Sequence, residues 1–287
     1  MTHLKRWLIA LVAVFAAIVT LNMQTVQADD SLAKIQQKGT IVMGTSPDYA
    51  PYEFLVNKNG KNQVVGMDVE VARKIAKDLG VKLVIKQMTF SSLLVALQSG
   101  KVDMVLAAMS PPNARRKSID FSKTYYKSGQ DILINKTDAK IYKDHNSFAN
   151  KKVGVQNGSL QETLAKTQMK SSTTLGLTKV TDLILALKTH KVAGVVAEGA
   201  VAQAYTSNDD TLVEIPGHFN LSSDTMGTAI GFAKGSDSLV AAANKSLADI
   251  KQKKLIPQYL KTAGSYMKTN TEDTLSLIHI SEPTRPE

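Results

Sequence analysis

A helix–turn–strand pattern occurs twice in this chain, roughly ninety residues apart. The first copy begins with the apolar run Leu93–Leu97 and the second with Leu183–Leu187. In each copy a lysine–valine pair follows, and another valine comes three residues later. Solenoid repeats are about 20–50 residues long, so this spacing is too long for a solenoid. Two similar α/β lobes, each containing one copy, are the simplest explanation.

Each copy is preceded by a predicted strand that ends in a polar loop. Strand Thr40–Gly44 leads to the loop Thr45–Pro47, and strand Lys152–Val155 leads to Gln156–Ser159. Open parallel sheets bind ligands at the carboxyl ends of their strands. Because two such lobes facing each other form a cleft, we predict a ligand site between them.

The segment after the first copy has the residues of an anion site. The loop Ala108–Pro112 offers backbone N–H groups and the Ser110 hydroxyl, and Arg115 lies in the first turn of the next helix. A helix start and a bidentate guanidinium both suit a carboxylate. A structural loop before a solvated basic helix explains the same residues. The second copy ends instead in an acidic residue, Glu198.

Five segments in order resemble one protein family. They are GTSPDYAPYEF from Gly44, VVGMDVEVARKIAKDLGVKL from Val64, LLVALQSGKVDMVLAAMS from Leu93, IDFSKTYYKSGQ from Ile119 and KKVGVQNGSLQETL from Lys151. The chain resembles the extracytoplasmic solute-binding proteins of polar amino acid ABC transporters, bacterial solute-binding protein family 3. This resemblance implies an α/β periplasmic-binding-protein fold, in which a two-segment hinge joins two lobes around a ligand cleft. It also implies that cleft closure delivers a free amino acid to ABC permease subunits, without a cofactor.

The resemblance and the sequence pattern together divide the chain into segments. Residues 1–28 are predicted to be a signal peptide, because a basic start and an apolar run precede a small-residue cleavage pattern at Ala28. An uncleaved anchor helix is the alternative, although the apolar run is slightly short for a membrane span. Lobe 1 comprises residues 31–126 and 225–267, and lobe 2 comprises 127–224. The protein is therefore expected outside the cytoplasm, at the cell surface, in the cell wall or in the periplasm. The chain has no cysteine, so a lipid-modified cysteine cannot retain it there.

The last residues, 268–287, are predicted to be a disordered tail. Within it, Leu275–Arg285 resembles the translation of a common sequencing adaptor, so we interpret this segment as an artefact. A short native strand docked on lobe 1 is the structural alternative.

The chain is basic, with a formal net charge of +10. Nucleic acid is not an expected partner, because the protein is exported and lacks a basic–aromatic recognition pattern. Anionic wall polymers or lipid headgroups suit this charge better. A merely solvated surface explains it equally well.

The resemblance implies how the site recognises the α-carbon groups of an amino acid. Arg115 would bind the α-carboxylate, helped by the Ser110 hydroxyl and by the backbone N–H groups of Ser110 and Leu160. Glu198 would receive the α-ammonium group together with the Ala108 carbonyl.

The same resemblance implies a subsite for the ligand side chain. Tyr49 and Phe90 would flank the side chain, with Tyr52 beside them, and Ser46 and Gln156 would lie near its tip. Relatives that take cationic amino acids often have an aspartate at the position of Ser46. We therefore expect an uncharged polar ligand such as glutamine.

The sequence contains no recognisable catalytic constellation. The histidines His145, His190 and His218 lack the spacing of metal ligands, and Gly158-Ser159 lacks the glycines of a nucleophile elbow. A non-catalytic binding protein is the preferred interpretation. Two alternatives stay open: a basic surface adhesin, and an enzyme similar to cyclohexadienyl dehydratases.

Overall fold

In the computed structural model, the described residues are 29–58, 60–222 and 225–279, with side chains described as far as Lys268. The expected signal peptide, residues 1–28, lies outside the described residues. The described chain forms two five-stranded sheets, a three-stranded sheet and flanking helices. None of these helices combines the length and the apolar character needed to cross a bilayer.

The α-helices and strands follow one another along the chain in the order below. The first elements are α1 (Ser31–Lys38), β1 (Thr40–Thr45), β2 (Asp48–Tyr49), β3 (Glu53–Lys58), β4 (Lys61–Val65), α2 (Met67–Asp78), β5 (Lys82–Gln87), α3 (Leu93–Gln98), β6 (Met104–Val105), α4 (Asn113–Arg116) and β7 (Ile119–Phe121). The next are β8 (Gln130–Asn135), β9 (Lys152–Gln156), α5 (Leu160–Gln168), β10 (Thr173–Leu177), α6 (Val180–Lys188), β11 (Gly194–Glu198), α7 (Gly199–Thr206) and β12 (Leu212–Pro216). The last are β13 (Gly231–Ala233), α8 (Asp237–Gln252) and α9 (Leu255–His279).

The two five-stranded sheets have equivalent topologies. The first has the order β5–β1–β6–β13–β7 and the second the order β10–β9–β11–β8–β12. In each sheet the first three strands are parallel and the fourth is antiparallel to the third. The third strand belongs to the repeated motif in both cases, β6 after α3 and β11 after α6. The predicted fold of two similar α/β lobes is confirmed.

The repeated helices lie close to their sheets because a glycine is beneath each of them. A Cβ atom on Gly44 in β1 would lie 3.3 Å from Leu93 Cδ2 of α3. A Cβ atom on Gly154 in β9 would lie 3.0 Å from Leu183 Cδ2 of α6. Both leucines are fully buried. The absence of a side chain at these two positions therefore allows equivalent helix–sheet packing in the two lobes.

The chain crosses between the lobes twice, and the crossing segments are hydrogen-bonded to each other. Tyr126 and Thr228 form an isolated antiparallel bridge. The Thr228 N–H donates to the Tyr126 carbonyl at 2.9 Å, and the Tyr125 N–H donates to the Thr228 carbonyl at 3.0 Å. The connection between the lobes is thus a pair of extended segments.

The strand of the first repeat is shorter than predicted. The mostly apolar segment 102–107 after the Gly100 break predicts a strand, but β6 contains only Met104–Val105. Carboxylates accept backbone N–H groups near both ends of β6. The Asp103 carboxylate accepts the Val42 N–H of β1 at 2.7 Å, and the Asp68 carboxylate accepts the Ala108 N–H at 2.9 Å. The Val42 and Ala108 N–H groups therefore donate to carboxylates, while the Asp103 and Leu106 N–H groups keep backbone bonds to β1.

The last helix continues beyond the point at which the sequence predicted that order would end. We expected the fold to be complete near Met267, with a disordered tail after it, but α9 extends to His279. No glycine or proline lies between Gly264 and Pro283 to interrupt a helix. Residues 280–287, the end of the tail, lie outside the described residues.

The two lobes are in direct contact. One hydrophobic cluster combines Tyr49 and Tyr52 of lobe 1 with Leu133 and Val201 of lobe 2. Hydrogen bonds also cross between the lobes: the Val180 N–H donates to the Asp48 carboxylate at 2.6 Å, and the Glu198 N–H donates to the Tyr49 hydroxyl at 3.0 Å. The structure is therefore a closed arrangement.

Candidate functional site

A small chamber lies between the lobes, at the carboxyl ends of the central strands. Its volume is about 10 Å³, enough for about one water molecule. It is lined by Tyr49, Phe90, Ala107, Ala108, Ser110, Arg115, Gln156, Leu160 and Gln161. Seven of the ten residues predicted for the site are in this lining. The exceptions are Ser46, Tyr52 and Glu198.

Arg115 is held in the wall of the chamber by backbone carbonyls from both lobes. Its Nη1 donates to the Ser110 carbonyl at 3.0 Å, and its Nη2 donates to the Gly158 carbonyl at 2.8 Å. The guanidinium carbon lies 5.6 Å from the centre of the Phe90 ring. Burial lowers the pKa of Arg115 to about 10, so it is a cation at neutral pH. The Ser110 contact lies within lobe 1, whereas the Gly158 contact joins the guanidinium to lobe 2 across the closed cleft.

Glu198 is the last residue of β11 and the N-cap residue of α7. It is 1% exposed, and among the described residues neither of its carboxylate oxygens has a hydrogen-bond partner. Burial raises the pKa of Glu198 to about 8, and the charge of Asp68 adds to this shift, whereas the Tyr52 hydroxyl, which lies near the carboxylate without hydrogen-bonding geometry, opposes it. A buried carboxylate without a partner is costly, so a cation would be strongly favoured beside it.

Asp68 influences the buried acidic residues Glu198 and Glu53 and also contacts the chamber wall. Its carboxylate accepts the Ala108 N–H at 2.9 Å and the Tyr125 hydroxyl at 2.7 Å. Burial raises the pKa of Asp68 to about 6, and burial together with Asp68 raises the pKa of Glu53 as well. Ala108 has a φ of 47°, which non-glycine residues rarely adopt. The bond to Asp68 fixes this unusual backbone position.

Tyr49 and Tyr52, the two tyrosines that follow β1, have different surroundings. Their rings are stacked, with centroids 5.9 Å apart. Tyr49 lines the chamber, and its hydroxyl accepts a hydrogen bond from Gln161 Nε2 at 3.3 Å. Tyr52 is fully buried and also packs edge-to-face on Tyr126. The structure thus places Tyr52 in the core behind the chamber.

Ser46 and Gln156 both contact an acidic residue that sequence reasoning missed, Asp48. The Ser46 hydroxyl donates to Asp48 Oδ1 at 2.8 Å, and Gln156 Nε2 donates to Oδ2 at 3.3 Å. Asp48 is 8% exposed, and burial raises its pKa. Its position beside Tyr49, between Pro47 and Pro51, was an available signal.

Ala107 and Gln161 were also missed. Gln161 Nε2 donates to Gln130 Oε1 at 2.7 Å, which fixes it beside Tyr49. Gln161 follows Leu160 in the first turn of α5, where backbone N–H groups have no intrahelical acceptor. Its place in that turn, next to a predicted residue, was the available signal. Within the described ranges, no group of three or more acidic, histidine or cysteine residues could hold a metal ion.

Comparison with known proteins gives relatives that match most of the chain. The arginine-binding extracellular protein ArtP of Bacillus subtilis is 34% identical over 251 residues, which cover 86% of this chain and 93% of that protein. Other relatives are named as a probable histidine-binding protein of Campylobacter jejuni and a glutamine-binding protein of Bacillus subtilis.

Solved structures resemble this fold over most of their length. An amino acid ABC transporter substrate-binding protein from Streptococcus pneumoniae, bound to L-arginine, has 34% identity and a TM-score of 0.79, covering 82% of this chain and 98% of that one. The ancestral amino acid-binding protein AncCDT-1, described as a precursor of cyclohexadienyl dehydratase, has 26% identity and a TM-score of 0.73, covering 81% and 98%.

The match to a family model covers the body of the chain. The model for the bacterial extracellular solute-binding proteins, family 3, matches residues 41–262, which include both lobes and every residue of the candidate site. This chain belongs to the bacterial extracellular solute-binding proteins, family 3.

Proposed function

We propose that this protein binds one free amino acid between its lobes and delivers it to an ABC importer. The observation that carries the proposal is the pair of complementary groups from the two lobes, the Arg115 guanidinium from lobe 1 and the buried, unpartnered Glu198 carboxyl group from lobe 2, which a ligand ammonium group would hold ionised. A zwitterionic α-carbon group needs both a cation and an anion, and this pair supplies them. The family membership and the arginine-binding relatives support the same function.

The positions of Arg115 and Glu198 fit the roles expected for them in binding the α-carboxylate and the α-ammonium group. Arg115 would donate to the α-carboxylate, with Ser110 and the first turn of α5 beside it. Glu198 would accept the α-ammonium group, because its carboxylate has no other described partner. Tyr49 and Phe90, which line the chamber, would flank the side chain of the ligand.

For the ligand side chain we propose a cationic amino acid, arginine before histidine. The expected preference for an uncharged ligand such as glutamine rested on Ser46, which replaces an aspartate. Asp48 supplies a buried carboxylate two residues later, hydrogen-bonded to Gln156 of the chamber wall. Names of relatives that include arginine and histidine agree with a cation at this end of the site.

Entry of any amino acid requires the lobes to separate. A chamber of about 10 Å³ holds no more than about one water molecule. The ligand therefore binds an open form, and closure brings Arg115 and Glu198 to opposite ends of its α-carbon group. A ligand that contacts both lobes stabilises the closed form.

Calorimetry with the twenty amino acids tests the proposal. We expect arginine to bind most tightly, and we expect Asp48→Asn to weaken arginine binding by at least about tenfold while changing glutamine binding little. Asp120→Asn is the matched control, because Asp120 is already paired with Lys234 at 2.6 Å and does not line the chamber. Tighter binding of glutamine than arginine by the natural protein would contradict the cationic preference, and no binding of any amino acid would contradict the function.

A separate assay addresses catalysis and delivery. ArtP and the Streptococcus pneumoniae protein are named as binding proteins, and AncCDT-1 is described as a precursor of an enzyme. We expect no turnover of a prephenate-like acid, and we expect arginine uptake by membranes that contain the cognate permease to depend on this protein. Solid-phase binding to host matrix or to anionic wall polymers tests the adhesin and surface-polymer alternatives.

A further inference from the structure

A second, much larger cavity lies between the lobes, next to the chamber. Its volume is about 640 Å³. Lobe 1 contributes Phe54, Leu55 and Met88 to its lining, and lobe 2 contributes Thr178 and Tyr205. The lining is mostly apolar, and its charged residues are the buried carboxylate Asp48, Lys179, and Asp209, which is paired with Lys188. An apolar cavity with one buried anionic group suits an organic cation with an apolar substituent.

The chamber and the large cavity share one thin wall. Two segments of lobe 1 run from one space to the other: Asp48 lines the large cavity and Tyr49 the chamber, while Thr89 lines the large cavity and Phe90 the chamber. Across the cleft, Gln156 lines the chamber and donates to Asp48. The wall therefore consists of a few side chains.

The Gln156 side chain is the weakest part of this wall. Its Nε2 lies 3.3 Å from Asp48 Oδ2 and 3.3 Å from the Thr178 carbonyl, both long for N–H···O hydrogen bonds. Asp48, in contrast, is held firmly by the Val180 N–H at 2.6 Å and the Ser46 hydroxyl at 2.8 Å. A rotation of Gln156 would join the two spaces and leave Asp48 in place as the anion between them.

We propose that the large cavity extends the side-chain subsite, so that the protein accepts cationic amino acids with an apolar substituent on the terminal side-chain nitrogen. This inference rests on the proposed function, because it requires a cationic side chain that reaches Asp48. The charged nitrogen stays beside Asp48, and the substituent enters the space lined by Leu55, Met88 and Tyr205. Because both lobes line that space, a substituent in it contacts both sides of the closed cleft.

The test compares L-arginine with Nω-propyl-L-arginine by calorimetry. We expect their dissociation constants to agree within about tenfold, because the propyl group occupies existing space. If the side-chain subsite were closed at its end, the propyl group would have no space. Nω-propyl-L-arginine would then bind more than about a hundredfold more weakly than L-arginine. That result, with arginine still bound, would overturn the inference. Failure of arginine itself to bind would be seen in its own titration, and it would overturn the proposed cationic preference as well.

A variant that fills the cavity gives a second, independent measurement. Leu55 is 38% exposed and lines the cavity, so Leu55→Trp places a larger side chain there. We expect this variant to weaken Nω-propyl-L-arginine binding by at least about tenfold and to change arginine binding by less than about threefold. Val84→Trp is the matched control, because Val84 is 40% exposed on another strand of lobe 1, outside the cavity lining. Equal effects of Leu55→Trp on both ligands, or none on either, would overturn the inference.

Discussion

The two lobes share their framework and differ at the end of one strand. Both have the same sheet order, and both have a repeated helix packed over a glycine. In lobe 1, β6 ends after two residues and the chain turns through Ala108 to reach Arg115. In lobe 2, β11 continues directly into α7, with Glu198 at the junction. A few residues after an equivalent strand therefore decide whether a lobe presents a cation or an anion.

The largest expected effect comes from removing the charge of lobe 1. Truncating one member of a buried charge pair costs about 2–5 kcal/mol, so Arg115→Ala should weaken binding of the best amino acid by at least an order of magnitude, measured by calorimetry. The guanidinium of the neighbouring Arg116 lies over Phe121, with the guanidinium carbon 5.3 Å from the ring centre, and its Nε donates to the Pro111 carbonyl. Arg116→Ala is the control and should change affinity little. An equal loss in both variants would mean that the wrong arginine has been assigned.

The shared packing of the two lobes is tested by substituting the glycines beneath the helices. Gly44→Ala and Gly154→Ala should each lower the free energy of unfolding by about 1–3 kcal/mol, because the new methyl group would lie 3.0–3.3 Å from buried carbons, those of Val102 and Leu93 or those of Leu183 and Val195. Urea unfolding measures both. Gly264→Ala in α9 is the control, since a Cβ there meets no atom within 4 Å, and it should be neutral or stabilising. A large effect in one lobe only would show that the two helices are not packed equivalently.

Glu198, the acidic residue of lobe 2, should make the free energy of unfolding depend on pH. The pKa of Glu198 is raised from 4.5 to about 8 in the folded protein. Between these values the folded state binds more protons than the unfolded state, so stability should fall as the pH rises, by up to about 1.4 kcal/mol per pH unit for one proton. Glu198→Gln should reduce this slope in urea unfolding of the ligand-free protein from pH 5 to pH 8.5.

A control on the same lobe separates this effect from a general one. The pKa of Glu162 is lowered, mainly by its hydrogen bond to Lys166, so its proton linkage lies below pH 5. Glu162→Gln should therefore leave the slope unchanged. Asp68, with a pKa raised to about 6, contributes a slope below pH 6 that remains in all three proteins. An unchanged slope in Glu198→Gln would refute the assignment of a raised pKa to Glu198.

The smallest effect is expected at the end of α9, which has no counterpart in lobe 2. Its residues Ala263, Tyr266 and Met267 pack on the three-stranded sheet of lobe 1. A truncation after Thr274 keeps this contact, so the melting temperature should change by less than about one degree. A truncation after Leu260 removes the contact and should lower it by several degrees. A large loss after the first truncation would show that Leu275–Arg285 stabilises the fold.

The duplicated pattern predicted the architecture because hydrophobic spacing is a local property of the chain. The length of β6 could not be predicted in the same way, since it depends on Asp68, which reaches Ala108 from a distant helix. The continuation of α9 could have been predicted, because the sequence after Gly264 contains no helix breaker before Pro283. That signal was outweighed by the resemblance of the tail to an adaptor.

The site was predicted better for the α-carbon groups than for the side-chain end. Tyr49 and Tyr52 look alike in the sequence, and only packing separates the chamber wall from the core. The sequence predicted Ser46 and not Asp48 for this end of the site, because the path of the loop decides which of the two side chains faces Gln156. Local patterns indicate where a loop begins, but the direction of each side chain depends on tertiary contacts.

The small volume of the chamber has a consequence for the kinetics of capture. With space for about one water molecule, the closed protein cannot be entered by an amino acid, so only the opened fraction reacts. At high ligand concentration, the observed binding rate in a stopped-flow experiment therefore reaches a plateau equal to the rate at which closed molecules open. The interlobe hydrogen bonds determine this opening rate. The plateau is therefore the same for every amino acid that the protein accepts.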